Sequence, residues 1–119
     1  MGNLLRETKK VIESVGHDPS SISFIGSNTT GHRCTWAEFE TLADREYRSW
    51  SGPPEVCEDL VIVFCDGTWL SRGEYDGSEW WDYSKVPVHA SEDIPITTLF
   101  GRFGDPLERA NQDNNQESN

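Results

Sequence analysis

An apolar run of the roughly 18 residues that a membrane helix requires is missing from these 119 residues. The amino end also lacks the basic, apolar, small-residue order of a secretory signal. The expectation is a soluble chain that stays in the cytoplasm. Bases are scarce, with 10 Lys and Arg against 21 Asp and Glu and a formal net charge of -11. A groove gripping nucleic-acid phosphates depends on Lys and Arg releasing counterions, so direct nucleic-acid binding is excluded. Cysteine is limited to Cys34, Cys57 and Cys65, an odd number without the dense spacing of a disulfide framework, and reduced thiols are expected. No P-loop, G-x-G-x-x-G or G-x-S-x-G motif occurs, so nothing marks a nucleotide fold or a hydrolase elbow.

The acids are unevenly placed. Residues 34–93 hold fourteen of the 21 acids and only four of the 10 bases. Beyond Pro106 the chain reads LERANQDNNQESN, with no large apolar residue after Leu107, too little to offset the entropy of ordering. This predicts a single α+β domain over residues 1–107 and a disordered polar tail over 108–119.

Helical spacing of Leu4, Leu5, Thr8, Val11, Ile12 and Val15, with Asn3 ahead and Gly16 behind, predicts a first helix. Ser21 to Ile25 reads as a strand ending in a polar turn. Thr35 and Glu38 form a T-x-x-E capping box, and Trp36, Phe39, Ala43, Tyr47 and Trp50 follow as an aromatic stripe. A second helix is therefore expected from Thr35 to the Gly52-Pro53-Pro54 break.

Leu60 to Phe64 is apolar throughout and leads into Asp66-Gly67 and then Asp76-Gly77, each a signal for a two-residue type I′ hairpin turn. Two such turns predict a three-stranded meander, and with the helices the fold is two helices packed on a small antiparallel sheet. The register would set Phe64 opposite Trp69, Ile62 opposite Ser71, Glu74 opposite Glu79, Gly73 opposite Trp80 and Arg72 opposite Trp81. One face would carry Leu60, Ile62, Phe64, Trp69, Tyr75 and Trp80, and the other Val61, Val63, Cys65, Leu70, Trp81 and Tyr83. Both faces are then apolar, and two helices are too few to cover them. Either the segment from Val86 to Phe103 or a second copy of the chain must cover the remaining face, so a homo-oligomer, such as a homodimer, is expected.

Each chemical constellation has a bland counterpart. His32, Cys34, Cys57 and Cys65 supply the four ligands of a zinc site, but no C-x-x-C knuckle is present and isolated thiols commonly fill cores, so no metal or cofactor is expected. A thiol paired with His17, His32 or His89 lacks a Gly-rich oxyanion turn. Glu74, Asp76, Glu79 and Asp82 could pair for glycoside chemistry, but acids at a hairpin tip lie outside a cleft. A non-catalytic role is expected. The run Glu74, Tyr75, Asp76, Glu79, Trp80, Trp81, Asp82 and Tyr83 combines aromatic area with carboxylates, the composition of a surface that selects a basic protein partner. Glu74 against Glu79 would be a like-charge cross-strand pair, which a cationic partner would relieve. The bland reading is that Arg72 quiets this pair and that the tryptophans serve the core.

The strings TWAEFETLADREY (Thr35 to Tyr47) and EDLVIVFCDGTWLSRGEYDGSEWWDY (Glu58 to Tyr83) resemble small phage- and prophage-encoded proteins of unknown function. The resemblance carries no catalytic residues. It implies the context of an acidic phage protein that inhibits host defence in the host cytoplasm, including anti-CRISPR proteins that act as nucleic-acid mimics in a basic channel. The expected function is therefore an inhibitor binding a basic host protein, such as an RNA-guided nuclease. A ligand-sequestering or structural oligomer and a small metal-dependent enzyme stand as alternatives.

Overall fold

The computed structural model describes residues 2–48, 52–87 and 92–112. Trp50, His89 and residues 113–119 of the expected tail lie outside the described residues. The chain divides into two compact units, Met1–Pro87 and Val88–Asn119.

In the first unit, β1 (Gly2–Asn3) leads into helix α1 (Leu4–Ser14), where Asn3 Oδ1 accepts from the Arg6 N–H at 3.0 Å as the expected cap. Thr8 and Ile12 form its buried stripe. A short 3-10 turn (Pro19–Ser21) precedes strand β2 (Ile22–Gly26).

Helix α2 (Trp36–Leu42) begins with the predicted box, the Thr35 hydroxyl accepting from Glu38 N–H at 3.1 Å and the Glu38 carboxylate accepting from Thr35 N–H at 2.8 Å. It stops well short of the expected Gly52-Pro53-Pro54 break. The exposed first-turn N–H groups of α1 take the carbonyls just past it, Leu5 N donating to Ala43 O at 3.0 Å and Leu4 N to Arg45 O at 3.3 Å. Tyr47 consequently belongs to β3 (Glu46–Tyr47), paired antiparallel with β1, rather than to a helical stripe. Tertiary pairing overrides helical periodicity here.

Strands β4 (Val61–Phe64), β5 (Trp69–Tyr75) and β6 (Ser78–Ser84) form the predicted meander, and β2 joins it to make a four-stranded antiparallel sheet in the order β2-β4-β5-β6. The second hairpin has the expected register, with Asp76 at φ 51° and Gly77 at φ 86° as type I′ requires. The first is offset by one residue, with Val63 opposite Trp69, Ile62 opposite Leu70 and Val61 opposite Ser71. Its loop has three residues, because Gly67 N donates to Phe64 O at 3.0 Å and Phe64 N to Thr68 O at 2.8 Å. This is a type I turn closed by a left-handed residue, Gly67 at φ 88°. The Asp66 carboxylate fastens it by accepting from Thr68 N–H at 3.0 Å and from the Thr68 hydroxyl at 2.6 Å.

Period-two alternation turns that offset into a regrouping of the two faces. Leu70 and Trp81 join Ile62 and Phe64 on one face, where they pack with Ile25, Ile12 of α1, and Phe39 and Ala43 at α2. Both helices thus serve one face. The other carries Phe24, Val61, Val63 and Trp69, all half-buried, with Trp80 39% exposed. The balanced pair of apolar faces expected from the sequence is corrected to one packed face and one open, partly aromatic face.

In the second unit, Asn111 joins the short helix α3 (Leu107–Ala110) to the irregular stretch at Thr97 and Thr98. Its Oδ1 accepts from the N–H groups of Thr97 at 2.7 Å and Thr98 at 3.0 Å, and its Nδ2 donates to Leu107 O at 2.7 Å. Residues 108–112 are therefore structured, a correction to the expectation that the tail begins at 108. Ile94, Leu99, Phe100 and Phe103 are exposed.

Candidate functional site

The β5–β6 hairpin presents the acidic and aromatic residues singled out in the sequence, and exposure divides them into two sets, with Glu74 and Tyr83 exposed although they share a sheet face with Glu79 and Trp81. Glu74, Tyr75, Asp76, Trp80, Asp82 and Tyr83 are exposed, with Tyr75 at 76%. Trp80 lies on the open face, across from Gly73, and its Nε1–H donates to Asp82 Oδ1 at 2.8 Å. Gly73 is needed for this arrangement. A Cβ there would sit 2.5 Å from both Trp80 Nε1 and Asp82 Oδ2, so the indole occupies the place of a side chain on β5. The exposed ring and its neighbouring carboxylate are held as one unit.

Glu79 and Trp81 do not belong to that surface. Trp81 is 8% exposed, and its indole N–H donates to the Thr8 hydroxyl of α1 at 2.9 Å. Glu79 is 7% exposed and accepts from the backbone N–H groups of Glu55 at 2.8 Å and Val56 at 3.2 Å. Their assignment to partner binding is corrected, since both are buried, Trp81 against α1 and Glu79 against the 55–56 loop. Glu74 and Glu79 do stand opposite each other, but each carboxylate is engaged, Glu74 Oε2 accepting from Gly77 N–H at 3.1 Å. Arg72 lies 3.4 Å from Glu79, in keeping with the bland reading in which Arg72 quiets this pair.

Behind Glu79 runs a polar network that sequence spacing did not reveal. The Arg72 guanidinium, its side chain only 4% exposed, pairs with Glu79 Oε1 at 3.4 Å and donates to the Tyr47 hydroxyl at 3.2 Å. Tyr47 in turn donates to Glu7 Oε1 at 2.6 Å. Arg72 Nε and Nη1 have no hydrogen-bond partner among the described residues, and the guanidinium lies 4.7 Å from the Trp81 ring centroid, where the aromatic quadrupole offsets part of its desolvation. Burial, reinforced by the bond to Glu7, pushes the Tyr47 phenol above its usual range, with Arg72 pulling the other way. The network ties α1, β3, the 55–56 loop and the hairpin together. Its charged centre, the Arg72 and Glu79 side chains, is buried, while Glu7 is half-buried and Glu55 exposed.

The other constellations are dispersed. Cys57 and Cys65 are exposed rather than core fillers, and Cys34 is half-buried before α2, where burial and the nearby Glu38 raise its thiol pKa. His17 stacks on Phe64 at 4.0 Å and engages Ser21, Asp66 and Thr68, at 3.0, 3.1 and 3.3 Å, none of them a thiol. The Ser21 hydroxyl also lies 2.7 Å from Asp18 O, a backbone acceptor that competes with the imidazole for its proton. His32 pairs with the Thr30 hydroxyl at 2.8 Å. Among the described residues, no group of three or more His, Cys, Asp or Glu could hold a metal ion, and no helix is long and apolar enough to cross a membrane. Comparison with protein-family models, curated proteins and solved structures finds no match for this chain.

Proposed function

We propose that this chain is a non-catalytic acidic inhibitor of the phage type, which binds a basic surface of a host defence or nucleic-acid-binding protein in the host cytoplasm. An RNA-guided nuclease is the leading partner. The observation that carries the reading is the exposed set Glu74, Tyr75, Asp76, Trp80, Asp82 and Tyr83 on one rigid hairpin, with Trp80 and Asp82 locked together. Aromatic anchors supply contact area, while carboxylates favour a cationic partner and speed its approach. The formal net charge of -11 extends that attraction beyond the contact itself.

The test is inhibition of a purified RNA-guided nuclease, with the protein added before or after guide loading, across a salt series. Inhibition should weaken as salt rises and should be lost in a Glu74→Lys, Asp76→Lys, Asp82→Lys variant that keeps the parent's circular dichroism. Equal inhibition by that folded variant would refute the acidic surface as the binding element.

A further inference from the structure

The two edges of the four-stranded sheet differ in kind. The outer side of β2 is occupied, with Cys34 N donating to Ile25 O at 3.0 Å, Ser27 N donating to His32 O at 2.9 Å, and Gly26 bridged to Arg33. The pairing of β2 with β4 also shifts register between Ile22 and Phe24, a bulge that blunts the strand. At the other edge, β6 pairs with β5 through seven consecutive residues without a shift. Its sequence SEWWDYS has no proline and no lysine, the usual devices against unwanted pairing.

The hairpin geometry shows which backbone groups of β6 face outward. In a two-residue type I′ hairpin the closing pair, Tyr75 and Ser78, exchanges both backbone hydrogen bonds. Alternation makes Gly73–Trp80 and Ser71–Asp82 bonded pairs too, so the N–H and C=O groups of Glu79, Trp81 and Tyr83 point away from β5. Among the described residues, no backbone hydrogen bond joins these outward groups to another segment.

We infer that this free edge of β6 takes up an extended strand of the basic partner, adding a fifth strand to the sheet. The inference rests on the reading above that the partner is basic, and it adds the mode of binding and the chemistry of the bound segment. Side chains of an added strand on the open face would lie beside Trp80 and Asp82, where Lys or Arg gains a carboxylate and an aromatic face. Side chains on the other face would lie beside Tyr83, 37% exposed, and the rim of Trp81, where β-branched apolar residues fit. The recognised segment therefore alternates basic and apolar residues, main-chain bonds giving affinity and the alternation giving specificity. A second copy of β6 fits this edge less well, because pairing would bring together two chains that each carry a net charge of -11.

The probe is a fluorescent peptide of about ten residues alternating lysine and valine in equal number, with two isomers N-methylated at every lysine or at every valine. Only one of the two sets of peptide amides faces β6 in a given strand direction. Fluorescence anisotropy should show the parent peptide binding, one isomer at least tenfold weaker and the other unchanged. Loss with N-methylvaline indicates an antiparallel strand, and loss with N-methyllysine a parallel one. Tyr83→Pro, which deletes an outward N–H, should weaken binding of the parent peptide at least tenfold, whereas Tyr83→Phe should not. Should Tyr83→Pro fail to fold, the isomer comparison decides alone. Equal behaviour of the two isomers overturns strand addition, and if binding still falls with salt and with Asp82→Lys, the acidic-surface reading survives it. Absence of peptide binding, with undiminished nuclease inhibition by the charge-reversed variant above, removes both. A dimer in sedimentation that Tyr83→Pro dissolves, without peptide binding, overturns the inference by assigning the edge to a second copy.

Discussion

Replacing Glu79 with glutamine separates the two roles that a carboxylate at this position can have. If Glu79 were mainly one half of a repulsive pair with Glu74, the neutral residue would relieve some tenths of a kcal/mol and leave the fold unchanged or slightly more stable. The geometry argues the opposite sign. The carboxylate accepts from two loop N–H groups, at 2.8 Å from Glu55 and 3.2 Å from Val56, and pairs at 3.4 Å with an Arg72 side chain that is 4% exposed. Hydrogen bonds to a charged group contribute about 1.5–3 kcal/mol each. Removing one partner of a buried ion pair costs about 3–5 kcal/mol, because the other charge remains desolvated. Glutamine keeps the volume and one acceptor oxygen, so part of the loop anchoring survives, and the net destabilisation of Glu79→Gln should be about 2–4 kcal/mol. For a unit of this size that lowers Tm by about 10–25 °C.

Urea denaturation followed by circular dichroism gives the free energy directly. A cycle with Arg72→Met then tests whether the loss arises at the pair, since removing both charges should restore stability by more than about 1 kcal/mol relative to the sum of the single changes. A Glu79→Gln protein within about 0.5 kcal/mol of the parent, or more stable, would refute the argument and return Glu79 to the surface set.

The two adjacent tryptophans should behave oppositely: Trp81→Ala truncates the core beneath α1 and should cost about 3–5 kcal/mol in urea melts, whereas Trp80→Ala should leave stability nearly unchanged and act on partner affinity. Asp66 lies below its usual value of 3.8, chiefly through hydrogen bonds from Thr68 and then the charge of His17. Its contribution is complete above that value and is lost as pH falls through the lowered one, so Asp66→Asn should flatten part of the acid limb of a Tm-against-pH curve below about pH 4. Toward a thiol reagent at neutral pH, Cys57 and Cys65 should react fast and Cys34 more slowly, being half-buried with its pKa raised by burial and Glu38; three equal rates would contradict that placement.

What the sequence made legible was local. The Asn3 cap, the Thr35–Glu38 box and the Asp76-Gly77 turn are short-range devices, and each is found where the residues indicate. The errors arose where a distant segment intervened. The aromatic stripe through Tyr47 has good helical spacing, yet the N–H groups of Leu4 and Leu5 claim the carbonyls of Arg45 and Ala43, and the chain turns into β3. The Asp66-Gly67 pair admits both a two-residue and a three-residue loop, and Thr68, which can donate twice to Asp66, favours the longer one. That single residue of offset transfers Leu70 and Trp81 to the packed face.

The candidate site was legible as a composition and illegible as a surface. Along SEWWDYS, alternation requires that Glu79 and Trp81 share one side and Trp80 and Asp82 the other, so the eight residues singled out could not all meet one partner. Which side is packed depends on the neighbouring hairpin, where the offset occurs. The burial of a charged residue such as Glu79 beside a tryptophan also contradicts composition-based expectation, because it requires donors that local sequence does not show. Those donors are two N–H groups from the 55–56 loop, 23 and 24 residues away along the chain, which join Arg72, the one donor that the hairpin register did indicate. A charged residue on the packed face of a strand therefore signals a compensating donor set elsewhere in the chain, and here that set fixes the hairpin that carries Trp80 and Asp82 on its other face.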